Sequence, residues 1–480
     1  EEAINILADA IKGTKYENKI FLVGGYVRDT LLGKPSKDVD LVVDGEGIDG
    51  GINAAIFIAQ KLGIYKENSN PVLFPRFGTA KISLKLKSGG SFDVEFVAPR
   101  KEQYIPGSRK PLVSAGTLHD DAMRRDFTIN ALFKNLSSGE VKDLTGRSIE
   151  DLNKKIIKTT SDPDWIFSED PLRILRAIRF AFKYNFDLPL SVIRAIKNNA
   201  SKLKTISAER IQDELKKILL IEKPSRAIRM FELTGILSVI LPELQKLVGL
   251  QQNAYHKHDA FMHTLNVLDN TPPEISIRLA ALFHDIGKYA TKTDNNGKIQ
   301  FIGHADVGAK IASEIMRRLK YSNEDIEKVA TIVKYHMDLK GGGPEAEALK
   351  DKTLRKLIYR VSDKLEPLLS LIHADNISHA DNHVMPKQID KIRERIKTWD
   401  LPSILNTKSL LDGNEIAELG AVGRQISEIK TRILEKVLEN PGFTKQNAIQ
   451  LAKNMIASFK QKWYNSSIWE QKSLQIVTPH

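Results

Sequence analysis

The chain has 480 residues and no cysteine; 28% of its residues are charged and 41% are hydrophobic. This balance is ordinary for a globular protein, the length predicts roughly three or four domains, and the lack of cysteine excludes disulfides and thiolate metal sites. The net charge of +12 favours a polyanionic partner. The first residues are acidic and amphipathic, and no apolar run approaches the roughly 18 residues of a membrane span, so we expect a cytoplasmic protein that does not cross a membrane.

A glycine pair follows the first apolar run. The run at 20–23 predicts a strand that ends at Gly24 and Gly25, and a short amphipathic segment comes next. Glycine lets the backbone approach phosphate groups closely, and the start of a helix attracts anions. We therefore expect a phosphate to bind where this strand meets this segment.

Two acidic residues lead into the next strand. Strand periodicity places Asp38 and Asp40 on one face, and Val39 and Leu41 on the other. Two carboxylates that project together repel each other unless a cation lies between them, and Mg²⁺ prefers carboxylate and phosphate oxygens. Together with the glycine pair, these residues predict a metal-dependent phosphate-transfer site.

A later strand offers a third carboxylate. Alternate residues at 91–97 are apolar, so Asp93 and Glu95 share the opposite face. A two-metal site commonly needs a third acid to orient the metals and the attacking hydroxyl. Both residues are candidates for that acid.

Two polar motifs come next. In the first, Arg125 can neutralise a triphosphate, while Asp126 and Asn130 offer polar groups for a ribose. In the second, helix-start signals surround Asp170 and Arg173, which lie three residues apart and are expected to share a helix face. An acceptor beside a fork of donors can pair with the edge of a base.

These motifs resemble those of the class II branch of the polymerase β-like nucleotidyltransferases, which contains bacterial tRNA CCA-adding enzymes and poly(A) polymerases. The resemblance rests on GGYVRDTLLGKPSKDVDLVV, RRDFTIN and EDPLR. It implies an α+β multidomain fold, in which a nucleotidyltransferase head with a mixed sheet precedes an all-α neck, body and tail. The predicted domains are the head at 1–140, a nucleotide-selecting neck at 141–245, an HD domain at 246–395 and a tRNA-binding tail at 396–480.

The resemblance also implies roles for single residues. Asp38 and Asp40 would hold Mg²⁺, with Glu95 preferred over Asp93 as the third acid. Asp170 and Arg173 would select CTP and ATP without a nucleic-acid template. The full set expected to bind the nucleotide is Gly24, Gly25, Arg28, Arg125, Asp126, Asn130, Asp170, Arg173, Arg176 and Arg179.

Eight of the eleven histidines lie between residues 255 and 380. This segment resembles the HD domain, a family of metal-dependent phosphohydrolases. Its primary metal ligands are matched by His263, His284, Asp285 and Asp375. The residues that hold a second metal or a phosphate are matched by His304 and His336. Asp375 is preferred over Asp381 because it follows an apolar run. Imidazole and carboxylate ligands fit Mn, Fe, Ni or Zn equally well.

The implied activity is the addition of C, C and A to the 3′ end of tRNA from CTP and ATP. The alternatives with the same head are a CC-adding enzyme, an A-adding enzyme and a poly(A) polymerase. The polar segment between Arg100 and Arg124, including 108–111, resembles a loop of full CCA-adding enzymes. An alternative of another class is an HD phosphohydrolase whose head only binds RNA.

Overall fold

The computed structural model describes the chain except for residues 36–38, 88, 104–111, 253–257, 297, 381–382 and 476–480. The chain folds into two compact units. The first contains Glu1–Gln245 and Arg318–Lys320, and the second contains Lys246–Arg317 and Tyr321–His480. No helix in the described part is long and apolar enough to cross a membrane.

The first unit contains a mixed sheet. Its strands are β1 (Ile20–Val23), β2 (Val39–Val43), β3 (Val72–Phe74), β4 (Thr79–Lys85), β5 (Ser91–Val97), β6 (Arg100–Gln103), β7 (Leu112–Ala115), β8 (Leu132–Asn135) and β9 (Val141–Asp143). Seven of them form one sheet in the order β3-β4-β5-β2-β1-β8-β9, and β6 pairs with β7. Within the sheet β2 and β5 run parallel, whereas β1 is antiparallel to β2 and to β8.

Twelve α-helices of the described residues accompany and follow this sheet in the first unit. They are α1 (Glu2–Ile11), α2 (Gly25–Leu31), α3 (Gly50–Lys61), α4 (Leu118–Met123), α5 (Ser148–Asn153), α6 (Pro163–Glu169), α7 (Leu172–Tyr184), α8 (Leu190–Asn199), α9 (Ala208–Leu219), α10 (Ser225–Thr234), α11 (Ile236–Ile240) and α12 (Pro242–Gln245). All four residues of β1 are buried, as the apolar run predicts. Gly51 in α3 packs so closely on β5 that a Cβ there would lie 2.7 Å from the carbonyl oxygen of Phe96.

In its described residues the second unit is helical apart from one hairpin. Its helices are α13 (Ala260–Asp269), α14 (Ile275–Phe283), α15 (Lys288–Thr291), α16 (His304–Arg318), α17 (Asn323–Tyr335), α18 (Asp351–Val361), α19 (Leu365–Asn376), α20 (Gln388–Ile396), α21 (Leu401–Leu405), α22 (Gly413–Glu418), α23 (Arg424–Glu439) and α24 (Lys445–Gln475). The hairpin pairs β10 (Thr293–Asn295) with β11 (Lys298–Gln300). The sequence analysis did not predict these two strands, which are only three residues long each.

Candidate nucleotide cleft and metal centre

A cleft of about 900 Å³ opens in the first unit, and we call it the nucleotide cleft. It collects residues from α2, β2, the RRDFTIN segment, α7 and α9. The predicted site residues that line it are Gly24, Gly25, Arg28, Asp40, Arg125, Asp126, Asn130, Asp170, Arg173, Arg176 and Arg179. Asp38 lies outside the described residues.

Asp40 and Glu95 lie side by side in the sheet. They are register partners on the parallel strands β2 and β5, and both are exposed while the residues flanking them on each strand are buried. Partial burial of its carboxyl group, followed by the negative charge of Asp40, raises the pKa of Glu95. A carboxylate whose ionisation is disfavoured by an adjacent carboxylate is suited to share a divalent cation with it.

Asp93 occupies the same face of β5, but the charge of its carboxylate is already balanced by a lysine. Its carboxylate lies 2.6 Å from Nζ of Lys81 and accepts a hydrogen bond of 2.5 Å from the Ser83 hydroxyl. These hydrogen bonds hold the pKa of Asp93 below its usual range. Of the two acids, Glu95 is therefore the one whose surroundings favour a metal ion.

The turn after β1 lies against two arginines. Gly24 has a φ of 67°, in the left-handed region that favours glycine. A Cβ at Gly24 would lie 3.2 Å from Nη1 of Arg125, and a Cβ at Gly25 would lie 3.4 Å from Nη2 of Arg28. A backbone turn flanked by two guanidinium groups suits a phosphate.

Arg28 is buried in a network of side chains that links α2 to α7. It donates to both carboxylate oxygens of Asp29 at 2.9 Å, to the side-chain Oδ1 of Asn130 at 2.6 Å and to the Tyr184 hydroxyl at 2.6 Å. Tyr184 in turn donates to Asp29 at 2.9 Å. Arg28 therefore orients Asn130 as well as facing the cleft. The sequence analysis did not single out Asp29 or Tyr184.

The arginine pair of RRDFTIN is held by a carboxylate that the sequence analysis missed. Asp121 is fully buried and accepts from Nε of Arg124 at 2.9 Å and from Nη2 of Arg125 at 2.8 Å. Burial alone would raise the pKa of Asp121, but the two guanidinium charges lower it on balance. The spacings of three and four residues along the chain are those of a helical ion pair, and this signal could have identified Asp121.

Asp126 is held in the same way. Its carboxylate accepts from the Asn130 amide at 2.9 Å and from Nε of Arg176 at 2.7 Å. Burial raises its pKa, but Arg176 and Asn130 outweigh that effect and lower the pKa on balance. Asp126 is therefore an ionised acceptor at the wall of the cleft, suited to bind a hydroxyl.

The predicted position of Asp170 on a helix face is wrong. The helix α7 begins at Leu172 with Pro171 as its N-cap, so Asp170 precedes the helix and no acid lies in its first turn. The residue before a proline avoids the helical region, and Asp170 has φ and ψ of −135° and 95°. Asp170 and Arg173 nevertheless line the same cleft.

Different partners hold these two side chains. Asp170 accepts from the Leu172 amide at 3.2 Å and from Nη2 of Arg210 at 2.7 Å. Arg173 donates to Glu169 at 3.2 Å and to a backbone carbonyl at 3.1 Å. Each side chain is thus oriented independently.

Glu214 on α9 is a second carboxylate that the sequence analysis missed. It accepts from Nε of Arg179 at 2.6 Å and lies 3.8 Å from Nη1 of Arg176. Glu214 is almost completely buried. It lies 35 positions from Arg179, and no local spacing rule links residues so far apart.

The second unit contains a buried cluster, which we call the histidine centre. Its six residues form two groups that could each hold a metal ion, because the ligand atoms in each group lie within 4.8 Å of one another. One group contains His263, His284 and Asp375, and the other contains Asp285, His304 and His336. All six residues predicted from the sequence are therefore brought together. Asp381, the alternative to Asp375, lies outside the described residues.

Backbone carbonyls orient three of the histidines. Nδ1 of His284, His304 and His336 lies 2.8, 2.8 and 2.6 Å from the carbonyl oxygen three residues earlier. A carbonyl only accepts, so Nδ1 carries the proton and Nε2 of a neutral ring is left to bind a metal. Burial and the neighbouring histidines lower the pKa of His336 to about 3, which keeps that ring neutral.

Asp285 joins the two groups. Its Oδ2 lies 3.2 Å from Nε2 of His284, and its Oδ1 lies 3.5 Å from Nε2 of His304. Nε2 of His284 is buried and makes no hydrogen bond, whereas Oδ2 of Asp285 lies 2.6 Å from Nζ of Lys288. An unsatisfied imidazole nitrogen beside buried carboxylates fits a bound metal ion. Lys288 and Lys340 each place Nζ 2.6 Å from a carboxylate of the centre, at Asp285 and Asp375.

Three family models match the chain. The poly(A) polymerase head domain matches residues 20–158, the probable RNA and SrmB-binding site of polymerase A matches 185–247, and the HD domain matches 261–368. The matches and the observed elements confirm the predicted fold, a mixed-sheet head followed by a helical body that contains an HD domain. Nucleotidyltransferase heads and HD domains generally use divalent metals, which agrees with the two carboxylate-containing sites.

Two curated relatives cover most of the chain. The CC-adding tRNA nucleotidyltransferase of Thermus thermophilus is 31% identical over 89% of this chain and 92% of its own length. The multifunctional CCA protein of Cupriavidus necator is 30% identical over 66% of this chain and 75% of its own length. Among solved structures, the Bacillus stearothermophilus CCA-adding enzyme in complex with CTP has a TM-score of 0.64 at 21% identity, over 96% of this chain and 98% of that one. That likeness shows a shared fold.

Proposed function

The chain belongs to the tRNA nucleotidyltransferase family, as its motifs predicted, and from this premise we propose that it adds C, C and A to the 3′ end of tRNA from CTP and ATP. The observation that carries the proposal is the nucleotide cleft. Its walls combine a glycine turn flanked by arginines, the carboxylate of Asp40, and the separately oriented pair Asp170 and Arg173. Glu95 does not line the cleft but is the register partner of Asp40 on β5.

In this proposal Asp38, Asp40 and Glu95 hold Mg²⁺. The oxygen donors and the raised pKa of Glu95 support a hard divalent cation there. When bound, the metal supplies positive charge that activates the tRNA 3′-hydroxyl and stabilises the departing pyrophosphate. The remaining work falls to the protein's own side chains.

Those side chains bind and orient the nucleotide. Gly24, Gly25 and Arg125 hold the triphosphate, with Arg28 behind them. Asp126 and Asn130 bind the ribose, because both line the cleft and hydrogen bonds with each other, with Arg176 and with Arg28 fix their positions. Asp170 and Arg173 select the base, and Arg176 and Arg179 support them on α7.

Incorporation of labelled nucleotide tests this function. The purified protein is incubated with a tRNA that lacks its CCA end, and with CTP, ATP or both. We expect two additions with CTP alone and three with both nucleotides. Failure to incorporate either nucleotide would refute the proposal.

CC addition is the second candidate function, because the relative that matches 89% of this chain is a CC-adding enzyme. In the segment between Arg100 and Arg124 that resembles a loop of full CCA-adding enzymes, residues 104–111 lie outside the described residues. A product that stops after two C residues in the presence of ATP would favour this candidate. An open-ended run of A would instead indicate a poly(A) polymerase.

We also propose that the histidine centre is a metal-dependent phosphohydrolase site. It would hold Mn, Fe, Ni or Zn, since its donors are imidazole and carboxylate groups. The expected substrates are RNA ends with a 2′,3′-cyclic or 2′-phosphate. Release of phosphate or opening of the cyclic ester tests this activity, and elemental analysis tests the metal.

We further propose the four domains 1–140, 141–245, 246–395 and 396–480 as the functional divisions of the chain.

A further inference from the structure

One lysine in the nucleotide cleft differs from every other cation there. Nine lysine and arginine side chains line the cleft, and eight of them form ion pairs with carboxylates of the first unit. The ninth is Lys183, in the last turn of α7. Among the residues that the structure describes, no carboxylate lies within ion-pair distance of its ammonium group.

The surroundings of Lys183 are themselves cationic. Burial lowers the pKa of Lys183, and the positive charges of Arg28, Arg179 and Lys34 lower it further. The negative charge of Asp29 raises this pKa but does not outweigh the other effects. Asp29 already pairs with Arg28 and accepts from a tyrosine hydroxyl. The protein therefore holds this cation in a place that disfavours its charge.

An unpaired ammonium among other cations costs free energy that an anionic ligand would offset. The anions that a nucleotide-adding cleft receives are phosphates, either on the incoming nucleotide or along the RNA. We propose that Lys183 is a phosphate-binding residue of the nucleotide cleft, an inference that rests on the proposed nucleotide addition. The contact of its Nζ with the Tyr184 ring, 5.1 Å from the ring centre, orients the side chain but supplies no negative charge.

Kinetics of Lys183→Gln and Lys183→Arg test this inference. Glutamine removes the charge and keeps most of the side chain, whereas arginine keeps the charge. We expect glutamine to raise one KM roughly tenfold while kcat changes by less than about twofold, because a charge-assisted contact is lost in binding. Arginine should restore most of the affinity. The matched control is Lys197→Gln, which removes the same charge from an exposed position on α8 outside the cleft.

The two sources of phosphate give different results. A raised KM for CTP and ATP identifies the nucleotide triphosphate, and a raised KM for tRNA identifies the RNA backbone. In the RNA case the slope of log KM against log salt concentration should also fall by about 0.7 to 0.9, the share of one phosphate contact. Unchanged KM values and salt slope in Lys183→Gln would overturn the inference, even if its unfolding temperature falls.

Equilibrium binding keeps this test separate from the proposed function. Binding of CTP, and of tRNA lacking CCA, is measured without turnover for the parent protein and the same variants. If the parent binds these ligands but adds no nucleotide, the proposed function fails while the binding constants still decide the role of Lys183. If the parent adds nucleotides and Lys183→Gln binds both ligands as the parent does, only the inference about Lys183 fails.

Discussion

The nucleotide cleft holds its arginines with carboxylates, whereas the histidine centre holds three of its four histidines with backbone carbonyls. In the cleft, Asp121 and Glu214 each orient two arginines through ion pairs. In the centre, three histidines donate Nδ1–H to carbonyls of their own helical turns and keep Nε2 for a ligand. The first arrangement presents positive charge to phosphates, and the second presents neutral donors to a metal.

The two sites also differ in burial. Asp40 and Glu95 are exposed on their strands, so a metal ion there can exchange with solvent and with the triphosphate. All six residues of the histidine centre are buried. Because the ligand sets share no residue and lie in separate units, each activity should be removable without the other.

The largest expected effect is a loss of nucleotide addition when an acid of the nucleotide cleft is replaced. Asp40→Asn should lower nucleotide addition roughly a thousandfold, because the amide is neutral and no longer shares a cation with Glu95. Hydrolysis at the histidine centre should not change. The control is Asp44→Asn, an acid just beyond the same strand that does not line the cleft. Near-parental addition by Asp40→Asn would mean that the metal lies elsewhere.

The converse change tests the histidine centre. The double variant His284→Ala/Asp285→Ala should lose bound transition metal and all hydrolysis of 2′,3′-cyclic or 2′-phosphate ends, because it removes a ligand of one group and the carboxylate that joins both. Nucleotide addition should persist. Elemental analysis of the variant and of Asp40→Asn checks the metal. Metal that remains in the double variant, or addition that is lost with it, would contradict two separate sites.

A smaller effect is expected on nucleotide choice. Asp170→Ala and Arg173→Ala should each relax the preference for CTP and ATP over UTP and GTP by roughly ten- to a hundredfold, since base contacts are lost while phosphate contacts remain. Arg194→Ala is the matched control, because it removes an exposed arginine of α8 that does not line the cleft. Relative incorporation of the four nucleotides is the measurement. Parental selectivity in both alanine variants would reduce Asp170 and Arg173 to structural residues.

The contrast between the sites also explains what could be predicted from the sequence. Candidate metal ligands such as His284 and Asp285 carry their chemistry in their own side chains, so motif and spacing predict them. Asp121 lies within a helical turn of its arginines and could have been found. Glu214 lies far along the chain from Arg179, and only the packing of α9 on α7 reveals the pair.

Local backbone geometry accounts for the remaining differences. The motif around Pro171 predicted a helix correctly but began it too early, because the residue before proline is extended. The hairpin of β10 and β11 was missed because strands of three residues contain too few alternations to show a period of two. The overall order of a mixed sheet followed by helices was predictable because long periodic segments dominate it.

The smallest expected effect compares two acids of one strand. Ionisation of Glu95 is disfavoured in the folded state, because its pKa is raised above 4.5 by burial and by Asp40. Glu95→Gln should therefore unfold slightly above the parent at neutral pH, and this difference should vanish below about pH 4.5. Thermal unfolding as a function of pH is the measurement.

Asp93 provides the control of opposite sign. Hydrogen bonds from Lys81 and Ser83 lower its pKa, so its ionised form stabilises the fold. Asp93→Asn should unfold below the parent at neutral pH, and the difference should disappear as the pH falls through that lowered pKa. The same sign for both variants would contradict the distinction between the two acids.

The sequence of the added 3′ end tests the central proposal most directly. A tRNA lacking its CCA end is incubated with the protein, CTP and ATP, and the products are sequenced alongside those of Asp40→Asn and His284→Ala/Asp285→Ala. We predict that the parent and the double variant add C, C and A and then stop, and that Asp40→Asn adds almost nothing. No added nucleotide with the parent, or an unlimited run of A, would contradict the proposed function.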